Sequence, residues 1–162
     1  MRRKEKEITS LRLIEDILVR GEILRLGLWD GQRPYVVPLS YAYRAGAIYL
    51  HSSRQGKKAR LLAAWPEVCF EVTVDAAVIR EPKPCGFTCH FKSVIGYGRA
   101  IALEDPDEKQ AALALMMRHY GSAKSEFPEA VVDKTLVVRI DIESMTGKCA
   151  PAPAPAEPGE GA

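Results

Sequence analysis

The sequence predicts a mainly β domain, an antiparallel barrel with peripheral helices. Three observations predict it. Short runs rich in β-branched and aromatic residues follow one another along the chain, turn-forming residues separate them, and the helical patterns are few and short. A barrel is the simplest closure of such a meander, because closing the sheet removes its exposed edges. The 162 residues, with 23 Lys plus Arg against 21 Asp plus Glu, suit one domain of ordinary soluble composition.

The elements follow in order. Leu11, Ile14, Ile17 and Leu18 recur at helical spacing, with Thr9 or Ser10 as a cap and Gly21 at the end, so an amphipathic helix opens the domain. Glu22–Trp29, Tyr35–Tyr43 and Ala47–Ser52 are β-type runs joined by Asp30-Gly31 and by Arg44-Ala45-Gly46. Pro38 cannot donate a ladder hydrogen bond, which places it at a sheet edge, a bulge or a site of ligand approach. Lys57–Trp65 reads as a short helix stopped by Pro66, and Val68–Val74 as the next strand; residues 75–90, with Pro82, Pro84 and Gly86, read as a connection. Lys92–Leu103 is a long strand with a small face of Val94, Gly96, Gly98 and Ala100, which leaves room for something flat or for a neighbouring chain. Asp105-Pro106-Asp107-Glu108 starts a helix that runs to about Tyr120, with Gly121 beyond its end. A short helix near Pro128–Val132 and a last strand, Thr135–Ile142, complete six or so strands. The folded unit is expected over residues 1–149, and the Pro/Ala-rich stretch 150–162 is expected to be an extended, mobile tail.

Composition also excludes function classes. A formal charge of +2 offers no domain-wide footprint for a phosphate backbone, so nucleic acid is not an expected partner. No apolar run approaches the roughly 20 residues of a membrane span, and the basic start is broken by Glu5 and Glu7 rather than followed by an apolar segment. No membrane role and a cytoplasmic location follow as expectations. The four cysteines, Cys69, Cys85, Cys89 and Cys149, are read as reduced thiols. Cys85-Gly-Phe-Thr-Cys89-His90 holds potential zinc ligands, but no second pair at matching spacing exists, and no metal is expected.

One segment stands out chemically. His51-Ser52-Ser53-Arg54-Gln55-Gly56-Lys57-Lys58 leaves a strand and enters a helix, bringing hydroxyls, ammonium groups and free helix N-terminal amides together. That combination suits a phosphate dianion; the bland alternative is a solvated basic loop, and no Walker or dinucleotide glycine pattern is present.

The order of four segments resembles a known family. Arg2-Arg3-Lys4-Glu5-Lys6-Glu7-Ile8, Tyr35-Val36-Val37-Pro38-Leu39-Ser40-Tyr41, Ile48-Tyr49-Leu50-His51-Ser52 with Gly56-Lys57-Lys58, and Lys92-Ser93-Val94-Ile95-Gly96-Tyr97-Gly98-Arg99-Ala100 are similar to the pyridoxamine 5′-phosphate oxidase-like flavin-binding proteins. The nitroimidazole-resistance (Nim-like) subgroup is most alike, down to Thr146-Gly147-Lys148 near the end. The resemblance covers about residues 2–148. It implies a six-stranded antiparallel split β-barrel acting as a homodimer, with FMN in grooves at the subunit interface. By the same resemblance Val37, Pro38, Leu39 and Ser40 run beside the flavin ring, and His51, Ser52, Lys57 and Lys58 hold the ribityl chain and phosphate. Ser93 belongs to a strand near the dimer interface that contributes to the neighbouring site. The Arg-X-Val-Leu-Leu-Lys and Thr-Asn-X-X-Ser-X-Lys patterns of the true pyridoxamine-phosphate oxidases are absent, so vitamin B6 oxidation is not implied.

The function expected from this resemblance is an FMN-dependent oxidoreductase that takes electrons from a small-molecule donor and reduces a small acceptor, a nitroaromatic among the candidates. His51 and Tyr41 are the candidate catalytic residues, as proton donor or substrate-orienting group. The alternative is a non-catalytic protein that binds flavin, haem or deazaflavin.

Overall fold

A computed structural model describes residues 4–150. A 3-10 turn over Lys4–Lys6 precedes strand β1 (Glu7–Ile8) and helix α1 (Leu11–Arg20). Then come β2 (Leu24–Trp29), β3 (Pro34–Leu39), β4 (Tyr41–Arg44), β5 (Ala47–Ser53), helix α2 (Lys57–Ala64) and β6 (Glu67–Ile79). After these come β7 (Thr88–Leu103), α3 (Pro106–His119), α4 (Glu129–Lys134) and β8 (Thr135–Ala150). The strands form one antiparallel sheet in the order β3-β2-β6-β7-β8-β5-β4, with β1 added beside β8. Its two edge strands, β3 and β4, are separated in sequence by Ser40 alone, so the sheet curls round until its edges meet at that residue without pairing. The architecture is a split antiparallel barrel, with eight strands rather than six. Two strands arise where the sequence showed none: Ser40 breaks the Tyr35–Tyr43 run into β3 and β4, and Glu7–Ile8 pairs with Gly147 and Lys148.

Alternation sets the inner face. Leu24, Leu26 and Leu28 of β2, Phe70 and Val72 of β6, Val94 of β7 and Ile140 of β8 fill the barrel together with Ile14, Ile17 and Leu18 of α1 and Leu61 and Leu62 of α2. A second, smaller core forms on the outside of β4, β5 and β8, where Ala42 and Val137 meet Leu103 and the Ala112, Leu113 and Met116 stripe of α3. The buried Lys109 donates to the Val132 carbonyl and so ties α3 to α4.

The turns form as their residues require. Ala45 and Gly46 both have positive φ, 48° and 80°, the pair a type I′ hairpin needs. Asp105 caps α3 by accepting from the Glu108 amide at 2.9 Å, and Gly121 follows the helix with φ 80°. Gly21 differs from expectation. It ends α1 with an extended φ of −68°, and what demands a glycine there is space, since a Cβ would run into Val72 and the Tyr41 hydroxyl.

Three expectations are corrected. Residues 75–90 are not a plain connection: β6 continues through Ile79 and β7 starts at Thr88, making a two-stranded arm that leaves the barrel after an irregularity between Val74 and Ala77. Asp75, with φ 57°, breaks the alternation there and hides the strand from a period-2 reading. The last strand runs to Ala150 rather than Ile142. The small face of β7 points into the barrel, where the Phe70 ring occupies the space above Gly96 and the Asp141 carbonyl crowds Gly98, so the room expected there remains at its Ala100 end, which lines a cavity. The expected tail from residue 151 onward lies outside the described residues.

Candidate functional site

At one end of the barrel the joint between β3 and β4, the end of β5 and the start of α2 converge. Tyr41 stands opposite Leu50, which brings Ser40 alongside the His51 end of β5. Along β3, Val37 and Leu39 face Leu26 and Leu24 and pack on the core, while Pro38 and Ser40 are exposed. Among the described residues β3 pairs only with β2, so Pro38 sits on an edge strand whose outer backbone groups have no sheet partner there.

From β5 the chain turns through Ser53, whose hydroxyl accepts the Gln55 amide at 3.1 Å. At Gly56, φ is 109° and ψ 177°, a conformation only glycine adopts readily, and α2 begins at once. No side chain caps α2, so its first amides and the positive end of its dipole are open. The two lysines that follow diverge. Lys57 is committed: its Nζ lies 2.9 Å from an Asp30 carboxylate oxygen and 4.6 Å above the Tyr35 ring. Asp30 also accepts the Gln32 and Arg33 amides, and these donors with the ammonium hold its carboxyl well below the usual range. Lys58 is half-buried, burial pushes its ammonium down, and no carboxylate among the described residues lies within ion-pair distance of it. Protein around the ring and the Lys58 charge both push the neighbouring His51 imidazole down. This end of the barrel therefore carries an unneutralised positive potential.

Beside it lies an apolar cavity of about 250 Å³ between α2 and the inner ends of β7 and β8, walled by Ala59, Leu62, Ala63, Ala102, Leu136 and Val138. Ser52 pairs with Leu136 and so stands at the edge of that cavity. Sequence patterning did not reveal this wall, because its residues come from three elements that only the sheet register brings together.

Two sequence candidates lie elsewhere. Tyr41 is wholly buried, and its hydroxyl donates to the Leu18 carbonyl at 2.7 Å, pinning α1 to the barrel. Burial drives its phenol upward. It is a core residue rather than a neighbour of His51. Ser93, also buried, stands opposite Thr73 and Lys148. Leu103, not Ser93, is the β7 residue level with His51, through Val137. The ten-residue separation of Ser93 from Leu103 puts Ser93 about 30 Å away along the strand. One chain thus gathers Ser40, His51, Ser52, Lys57 and Lys58 with Pro38 on the adjoining edge, and leaves Ser93 apart.

The sequence pattern of the pyridoxamine 5′-phosphate oxidase family matches residues 11–149, nearly the whole described fold. The chain belongs to this family. Among solved structures, it is similar to a protein of Bacteroides thetaiotaomicron assigned to 5-nitroimidazole antibiotic resistance, with 28% identity, a TM-score of 0.80, and coverage of 88% of this chain and 85% of that one. An FAD-binding protein of Mesorhizobium loti shares 26% identity at a TM-score of 0.64, over 87% of this chain and 95% of that one. A flavocytochrome of Azotobacter vinelandii has the same fold, with a TM-score of 0.82 and 19% identity over 94% of this chain and 73% of that one. No curated protein matches in sequence. Among the described residues no helix is long and apolar enough to cross a membrane.

Proposed function

We propose that this member of the family is an FMN-binding oxidoreductase. The observation that carries the reading is the pairing of an open, uncapped α2 N-terminus and a desolvated Lys58 that lacks a counter-ion with an apolar trough beside them. A charged, hydrogen-bonding head next to an apolar wall suits a phosphate ester carrying a flat ring. Lys58, the first amides of α2 and the Ser52 hydroxyl hold the phosphate. The exposed backbone edge of β3 around Pro38 lies beside the ring. The flavin, when bound, supplies the hydride and electron transfer. The chain's own residues bind, orient and exclude water, and His51, its imidazole pushed below the ordinary value by burial and by Lys58, is the titratable group placed to hold or move a proton beside the site. The resistance protein it resembles makes a nitroaromatic one class of acceptor to try, with NADH or NADPH as donor.

The cavity of one chain is smaller than a flavin ring needs, which supports a site completed by a second copy. The outer face of β3, β2, β6 and β7 suits that contact. No helix among the described residues covers it, and it exposes Val36 and Tyr97 at 61% and 57% beside Trp29 and Gly27.

Titration of the flavin-free protein with FMN, followed by anaerobic addition of NADH or NADPH and then a nitroaromatic, tests the reading. Saturable binding, bleaching of the flavin and its reoxidation by the acceptor are expected. No uptake of FMN overturns it, and a bound flavin that stays oxidised points instead to a non-catalytic flavin carrier. A Soret band on incubation with haemin would move the assignment to haem; deazaflavin is tested by the same titration.

A further inference from the structure

On the far side of β5 from the barrel interior, a cavity of about 150 Å³ lies between α3 and the outer face of β4, β5 and β8. Its apolar lining includes Tyr49 of β5 with Ala111 and Leu115 of α3. Three charged residues complete it: Arg44, Arg139 and Glu108. Arg139 is already oriented, since Asp141 accepts from its Nη2 at 3.2 Å and stands 2.8 Å from its Nε as an ion pair, although Nε itself has no hydrogen-bond partner. Arg44 and Glu108 form no ion pair among the described residues, with each other or with Arg139. Glu108 is nonetheless near enough to Arg139 to favour its charge. Arg44 and Glu108 therefore keep one unpaired charge of each sign beside an apolar pocket, with the Arg139–Asp141 pair next to them.

A simple organic anion would satisfy the two guanidinium groups and be repelled by Glu108. A cation would meet the reverse. A ligand that carries both charges on one carbon satisfies all three groups, with its apolar side chain against Tyr49, Ala111 and Leu115. The volume matches that of an engineered apolar cavity known to hold benzene, so a branched or aromatic side chain fits. We infer that this cavity binds a small zwitterion of the apolar α-amino-acid class, its carboxylate on Arg44 and Arg139 and its ammonium on Glu108. None of these residues belongs to the phosphate cluster, so the inference stands apart from the flavin reading.

The test is NMR titration of the full chain with L-phenylalanine, 3-phenylpropanoate and phenethylamine, following the amides of Tyr49, Ala111 and Leu115. Saturable shifts with L-phenylalanine are expected, with at least tenfold weaker binding of the two singly charged analogues. Arg44→Ala should weaken phenylalanine about tenfold. Glu108→Gln should erase the preference over 3-phenylpropanoate, and Ala111→Phe should fill the cavity and abolish the shifts. Thermal melts of each variant show whether it is folded. Arg44→Ala and Glu108→Gln change exposed side chains, so they keep the test sound if Ala111→Phe does not fold. No saturable shift with L-phenylalanine, or equal binding of 3-phenylpropanoate, overturns the proposal.

Discussion

Lys57 and Lys58 are neighbours in sequence with opposite environments. Lys57 has its partners, Asp30 and the Tyr35 ring, and fastens α2 to the β2–β3 hairpin. Lys58 has no ion-pair partner among the described residues and is partly desolvated, a state that an anion relieves. Lys58→Ala should therefore weaken FMN about tenfold or more by titration, while Lys57→Ala should cost chiefly stability, up to about 1 kcal/mol because the pair is partly exposed. Equal losses of FMN affinity would return Lys57 to the phosphate. His51 reports the same site through pH. Its imidazole sits below the ordinary value of 6.5, so the unfolded chain takes the proton first, and this residue's contribution to stability falls as pH drops through and below that value. A bound phosphate dianion reverses the sign by favouring the imidazolium. NMR titration of the His51 ring should show its pKa rise when FMN is added, and an unchanged value would separate His51 from the phosphate.

At the scale of elements, β7 shows what a pattern can and cannot say. The alternation of Gly96 and Gly98 with Ile95 and Tyr97 made the strand legible, but not which face was inward. The register settles that: Gly96 stands beneath Phe70, and the carbonyl of Asp141 crowds Gly98. Gly96→Ala should destabilise by about 1–3 kcal/mol through overpacking, and Phe70→Leu in the same chain should recover part of that loss in a denaturant melt. Full additivity of the two changes would mean the ring does not fill the space. Legibility elsewhere followed the range of the interactions. Residues 51–58 are contiguous, and their chemistry could be read locally, as could α3 from Asp105 to Gly121. The Lys57–Asp30 pair, the apolar wall beside Ser52 and the burial of Tyr41 depend on contacts between distant segments. The arm from Asp75 to Phe91 was hidden by a bulge, and the break at Ser40 by the β-type residues on both sides of it. Tyr41 was misread for the same reason, since a tyrosine beside a candidate edge looks like a site residue until its hydroxyl is found on the Leu18 carbonyl.

At the scale of the molecule, the sheet is covered unevenly. α3 packs over the outside of β4, β5 and β8 and buries Ala42 and Val137. Among the described residues the other half has no such cover: Trp29, Val36 and Tyr97 of β2, β3 and β7 are exposed around a trough of about 630 Å³, and Ile95 is exposed on β7. Aromatic and branched residues gathered on an uncovered sheet face mark an interaction surface, and a stable dimer needs about 800 Å² from each partner, within the reach of four strands. The distance of Ser93 from His51 gives this contact a functional consequence. In the proposed dimer a flavin-site role for Ser93 belongs to the partner's site, so dimerisation and cofactor binding are expected to rise and fall together. Val36 and Tyr97 point away from the core, and a double change to Glu should leave the barrel folded. It should also convert a dimer to a monomer in light scattering at matched concentration, because two carboxylates per chain would be buried against their symmetry mates. FMN affinity should fall in the same variant although neither residue touches the His51 cluster. A monomeric wild-type chain that binds FMN fully, or a double variant that stays dimeric, would show that each barrel completes its site alone.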